Sequence, residues 1–161
     1  MKFETTRFGS IEVGADEIFI FPEGPLGFPE CTRFTFIKEE GTEPFMMMQS
    51  LDNSSLAFVV VDPMVVRSDY TFDVTKDELA LLKADSLEGL LVYAIVTMAN
   101  ELQNVTVNLQ GPLIISPSTR LGFQYVLLDS EFTTRERLLQ EVDAEDILLE
   151  DEDSEEIKKA V

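Results

Sequence analysis

Phe45-Met46-Met47-Met48-Gln49-Ser50, then Leu51 and Asp52-Asn53-Ser54-Ser55, then Leu56-Ala57-Phe58-Val59-Val60-Val61-Asp62: this stretch decides the fold class. Two apolar runs of strand length flank residues that favour turns because their short polar side chains bond nearby backbone. Along a strand successive side chains alternate faces, so three adjacent Met cannot all point inward. The expectation is a strand covered on both faces by its own domain. The alternative is that Met47, or Met46 with Met48, meets a partner, a use to which adaptable Met is suited.

The same texture extends in both directions. Segments rich in Phe, Val, Ile, Thr and Tyr occupy Lys2–Phe8, Glu17–Phe21, Arg33–Lys38, Leu91–Met98, Val105–Leu109, Leu113–Ile115 and Phe123–Leu128. Turn residues separate them at Gly9-Ser10, Pro22-Glu23-Gly24-Pro25, Gly41-Thr42-Glu43-Pro44, Gly111-Pro112 and Ser116-Pro117-Ser118. Many short strands at this spacing predict a mainly β chain, a small antiparallel β-barrel-like domain with one or two short helices. One helix opens at Thr75-Lys76-Asp77-Glu78, a capping box, with Leu79 and Leu82 on one face and Lys83 near its end. A second capping box at Thr133-Thr134-Arg135-Glu136, followed by Leu138, Leu139 and Val142, predicts a short C-terminal helix. The expected organisation is a β-barrel-like binding domain over residues 1–132, then a short helix and an acidic, mobile tail over 133–161. Within that tail Ile147-Leu148-Leu149 stands out as apolar, able to dock on the body or to await a partner.

Composition excludes more than it suggests. The chain has no His and one Cys, so Ser-His-Asp and Cys-His nucleophile systems, imidazole metal sites, a structural zinc site and an internal disulfide are all unavailable. No cofactor or metal is expected, and the chain reads as a binder rather than an enzyme. Residues 1–7 carry no apolar run of signal-peptide length and no stretch is long enough to span a bilayer, so a cytoplasmic monomer is expected. The formal net charge is −19, of which −8 falls in residues 131–161 and −11 in residues 1–130. Such a surface argues against direct nucleic-acid binding and would steer a basic partner instead.

Four further patterns were weighed for chemistry. Phe21-Pro22-Glu23-Gly24-Pro25-Leu26-Gly27-Phe28-Pro29-Glu30 has glycines but lacks the Lys and hydroxyl residue of a phosphate loop, and reads as a rigid turn. Asp151-Glu152-Asp153-Ser154-Glu155 lacks the Gly and the final Glu of a calcium loop. No spacing among the 31 acidic residues singles out a glycosidase-type carboxylate pair. Thr106, Asn108 and Gln110 alternate with Val105, Val107 and Leu109, so a row of side-chain amides faces either water or a partner's backbone.

The ordered set Phe8-Gly9-Ser10-Ile11-Glu12-Val13, Phe21-Pro22-Glu23-Gly24-Pro25-Leu26-Gly27-Phe28, Pro44-Phe45 through Gln49-Ser50-Leu51, and Leu56-Ala57-Phe58-Val59-Val60-Val61-Asp62-Pro63, closing with Val105-Thr106-Val107-Asn108-Leu109-Gln110-Gly111-Pro112-Leu113-Ile114-Ile115, resembles the FliW family of bacterial flagellar assembly factors. The likeness covers roughly residues 3 to 130. It departs at Gly111, where the family more often has Ala, and over 141–161, longer and more acidic than the family pattern. The resemblance implies a small β-barrel-like domain that binds flagellin before export and also binds the RNA-binding translational repressor CsrA. Once flagellin is secreted, the freed protein would sequester the repressor and let flagellin synthesis resume.

Candidate contacts follow from both readings. Asp62, Asp69, Asp73 and Glu101 are acidic candidates for the repressor. Phe45, Met47 and Tyr70, read as exposed apolar residues, are candidates for flagellin; Gln49, and Asn108 and Gln110 from the amide row, are further candidates for partner contact. Two alternatives belong to other classes. One is an acidic nucleic-acid mimic whose carboxylates occupy a basic RNA groove; the other is a carboxylate-dependent hydrolase.

Overall fold

The computed structural model describes residues 1–128 and 130–139. They form strands β1 Lys2–Thr5, β2 Gly9–Glu12, β3 Phe19–Ile20, β4 Arg33–Ile37, β5 Met46–Ser50 and β6 Ala57–Val61, then β7 Leu91–Thr97, β8 Thr106–Val107, β9 Leu113–Ile115, β10 Gly122–Gln124 and β11 Glu136–Arg137, with one helix, α1 Lys76–Ala80. Every strand-to-strand ladder is antiparallel. The mainly β expectation holds.

β1 and β2 make their own hairpin, and the other strands run β10-β9-β7-β6-β5-β4-β3 with β8 and β11 branching from β7. The branch arises because β7 changes partner along its length. Leu91–Tyr93 pair with β9, while Val96 and Thr97 pair with β8. The two ends of the path meet at one parallel bridge, Ile20 to Leu121, where Ile20 N–H donates to Arg120 O at 2.8 Å. The sheet therefore curls back on itself and touches at a point, without a closing ladder.

Curling gives the sheet an inner and an outer face. Phe21, Cys31, Phe34, Met48, Val60, Leu113 and Ile115 fill the inside. Val61, Ala94 and Val96 point outward, where Val66, Tyr70, Val105, Val107, Leu109, Leu127 and Phe132 cover them. Val60 and Val61 are adjacent yet serve different cores, which is why this strand reads as continuously apolar. Each fully buried side chain of this kind stabilises the fold by about 1.5–3 kcal/mol.

Three local expectations needed correction. Gly9-Ser10 is no turn but the start of β2; the reversal lies at residues 6–8, held by Phe8 N–H donating to Thr5 Oγ1 at 2.8 Å and Thr5 Oγ1 donating to Gly9 O at 2.8 Å. Helix α1 is capped by Thr75 as expected, its Oγ1 accepting from Glu78 N–H at 3.3 Å, but it ends at Ala80. Lys83 has a left-handed backbone beyond it (φ 56°). The capping box at Thr133–Glu136 does not open a helix. Glu136 Oε2 accepts from Thr133 N–H at 2.9 Å, which closes a turn, and the next residues enter β11 against β8. The body thus runs past residue 132. Val142 and the acidic stretch lie outside the described residues.

Phe21 is where the curl is closed. Its ring is fully buried, edge-on to Phe34 at 5.5 Å, and rests against the backbone of Gly122. A Cβ on residue 122 would lie 2.6 Å from the ring's Cζ, in a core with no room to retreat. Gly122→Ala is therefore expected to cost about 1–3 kcal/mol by overpacking, read as a lower urea midpoint with an unchanged m-value. An unchanged midpoint would show that the ring can move aside.

Candidate binding groove

The outer face is not covered everywhere. Over β5 and β6 it lies open as a groove of about 690 Å³ whose floor includes Met47 and Val59. Phe45 and the Gly41–Pro44 loop bound one side, and Val65, Met98 and Leu102 another. Leu138 and Leu139 close it from the C-terminal end. Arg7 and Glu39 sit at its edge, already paired at 3.1 Å. The floor is mostly shielded by these walls, Met47 being 7% exposed, whereas Val65 at 52% and Met98 at 47% stand out into solvent. Large apolar side chains protruding around an apolar trough are the mark of an interaction site.

Position follows from local structure. Asp62 accepts from Met64 N–H at 2.9 Å and starts a 3-10 turn, Pro63–Val65, which aims Val65 at the groove. Leu138 is held by its N–H donating to Val105 O at 3.0 Å, extending the β11–β8 pairing by one residue. Leu109 and Gln110 N–H both donate to Thr133 O, at 3.0 and 3.2 Å, and tie down the start of this segment.

Arg67 joins two of the walls. Its Nε and Nη2 bond both oxygens of Asp69 at 3.0 Å, Nη2 lies 3.4 Å from Glu131 and Nη1 3.8 Å from Glu136. Its guanidinium also lies over the Phe132 ring at 5.2 Å. The Arg67 hydrogen bonds hold the Asp69 carboxyl below the usual range, and Asp69 in turn raises Arg67. Sequence reading missed this cluster, because Glu131 and Glu136 lie more than sixty positions away.

Of the ten candidate positions, Phe45 and Met47 line the groove, and Glu101 immediately precedes Leu102 in its wall. The acidic four do not gather at one place. Asp69 is in the Arg67 cluster and Asp62 caps its turn near Tyr93. Asp73 neighbours Tyr125, whose hydroxyl is raised by burial and by the Glu78 and Asp73 carboxylates. Glu101 accepts from Gln103 Nε2 at 2.7 Å. Met47 and Tyr70, expected to be exposed, are both buried, and so is the candidate Gln49. Tyr70 is 7% exposed, its hydroxyl donating to Leu109 O at 2.7 Å, and burial drives its ionisation far up. Gln49 is 1% exposed, its amide reaching the Ser50, Ser54 and Leu56 carbonyls to brace the β5–β6 turn. The amide row also dissolves. β8 stops at Val107, and Asn108 Oδ1 accepts from Gln110 and Gly111 N–H at 3.1 and 2.8 Å, shaping a turn.

The family model for the FliW protein matches residues 2–138, nearly all of the described body. The chain belongs to the FliW family. A flagellar assembly factor FliW of Geobacter sulfurreducens is 42% identical over 135 residues, covering 84% of this chain and 84% of that protein. One of Treponema denticola is 38% identical over 144 residues, covering 89% and 97%. A crystal structure of the flagellar assembly factor FliW superposes with a TM-score of 0.82 at 31% identity, covering 88% of this chain and 99% of that one. The FliW model's end at residue 138 includes β11 and the first groove leucine, so the C-terminal wall is part of the family's body.

Tyr70→Phe leaves the buried Leu109 carbonyl without its donor and is expected to cost about 1–3 kcal/mol, measured by urea unfolding; a cost near zero would mean that another donor reaches it. Arg67→Ala is expected to speed hydrogen exchange several-fold at Leu138 and Leu109 relative to Val60. In the unsubstituted chain the Asp69 contribution, present above the unfolded carboxyl value near pH 3.9, should persist as pH falls and be lost only through the lower folded value.

Proposed function

We propose that this flagellar assembly factor acts in the cytoplasm as a partner switch. It binds flagellin before export; when free of flagellin it binds the repressor CsrA and relieves repression of flagellin synthesis. The observation that carries this reading is the groove. An amphipathic segment lays its apolar face into such a trough, as flagellin's terminal segments would before assembly. Val65, Met98 and Leu138 supply anchor contacts, and the adaptable Met47 floor suits side chains of varied shape.

Charge supports the second partner. Residues 1–130 carry a net −11, and a repressor that holds RNA phosphates is basic. Asp62, Asp69, Asp73 and Glu101 are all exposed and remain the proposed contacts. Among the described residues no group of three His, Cys, Asp or Glu is placed to hold a metal, and no helix is long and apolar enough to cross a membrane. Binding of one partner would weaken the other through overlap, or through the C-terminal wall that the groove and the Arg67 cluster share.

Purified protein mixed separately with flagellin and with CsrA, each at low and at physiological salt, tests this. Met98→Ser is expected to weaken flagellin about fivefold to thirtyfold, as loss of an apolar anchor does, and to leave CsrA binding within about twofold. CsrA binding should fall as salt rises. No association with either protein at low salt would end the proposal. A ternary complex of this protein, CsrA and RNA would exclude direct phosphate mimicry.

A further inference from the structure

We infer that the groove on the outer face of β5 and β6 takes this protein's own apolar triplet, Ile147-Leu148-Leu149. Four observations lead there. The C-terminal wall of the groove is Leu138 and Leu139, so the chain is already at the groove when it continues into residues 140–161. From Leu139 to Ile147 is eight residue steps, which reach up to about 28 Å, enough to turn back into the trough. The triplet is the only run of three apolar residues in that stretch; ten carboxylates and no basic residue surround it between Glu141 and Glu156. And tethering over so short a link places the triplet near the groove at about millimolar effective concentration, so even a weak intrinsic contact is populated.

Charge says which part of the tail docks. The body is net negative, and among the described residues that line the groove the one basic side chain, Arg7, is paired with Glu39, with Glu43 also in the lining. The acidic residues are repelled and stay in solvent, and only the apolar triplet gains by entering. Attraction of this kind is not weakened by salt, which screens the repulsion instead. The docked triplet would shield Val65 and Met98, whose exposure is otherwise high for apolar side chains. In doing so it would compete with any amphipathic segment from outside. That competition rests on the flagellin reading above; the docking does not.

The test uses the full chain with methyl-labelled methionine. Against the unsubstituted protein, I147S/L148S/L149S is expected to displace the Met47 and Met98 methyl signals and to leave Met1 in place. D151S/D153S should move neither groove signal. Unmoved groove signals in the triple variant would overturn the inference. So would equal movement in the acidic variant, or a drift of the unsubstituted protein's signals toward the triple variant's positions on adding salt. Flagellin should bind the triple variant about tenfold more tightly, as expected if the triplet occupies the groove about nine-tenths of the time. Equal affinity would overturn the shared site. If flagellin binds neither form, the flagellin reading fails, and the methyl signals still decide this one.

Discussion

Everything in this fold follows from one constraint: the central strands carry apolar side chains on both faces, and each face must be covered. Curling the sheet until Phe21 meets Gly122 seals one face. The other is sealed by later segments laid across it, the turn after β6, β8, and the stretch from Leu127 to Leu138. These segments cover Val61, Ala94 and Val96 but stop short of the β5 end, where Met47 and Val59 form a trough. Among the described residues the groove is thus the remainder of a covering problem, an apolar sheet face with walls and nothing laid across it.

How much of this could be read from residues alone depended on range. The β segments were legible because alternation and turn chemistry are local, and alternation alone showed that the Met strand carries apolar side chains on both faces. The two misread starts share a cause. Gly9 and the Thr133–Glu136 box carry local signals that are real, a left-handed glycine and a Glu reaching back to Thr133 N–H, yet each ends in a strand because a partner strand was in reach. Tertiary pairing outweighed the local preference. Exposure was harder still. Tyr70 and Gln49 stood among the partner-contact candidates, and only the Leu109 carbonyl and the carbonyls of the β5–β6 turn explain why they are inside. Of the groove itself, Phe45 and Met47 were visible as oddities of pattern; Val65, Met98 and Leu138 come from three distant segments and had no shared signal.

The charge distribution shapes how such a groove can be used. With a net −11 on residues 1–130, any ligand of like sign is held off at long range while a basic one is drawn in, and an amphipathic segment enters for its apolar face alone. An acidic surface beside an apolar trough would therefore separate two kinds of recognition on one small body. One is graded by salt; the other is governed by which apolar side chains are free to fill the floor.

In a chain with 31 acidic and 12 basic residues, a cation that faces three carboxylates is placed where it matters most. Arg67 sits two residues after Val65, and Glu136 two residues before Leu138, so their contact at 3.8 Å links the segments that carry these two lining residues. The guanidinium over Phe132 reaches Asp69, Glu131 and Glu136 without itself lining the groove. The exposure of its partners keeps each pair individually weak, so the wall is held by several shallow contacts. Contacts of this kind give way one at a time, so the wall can yield locally without unfolding the body.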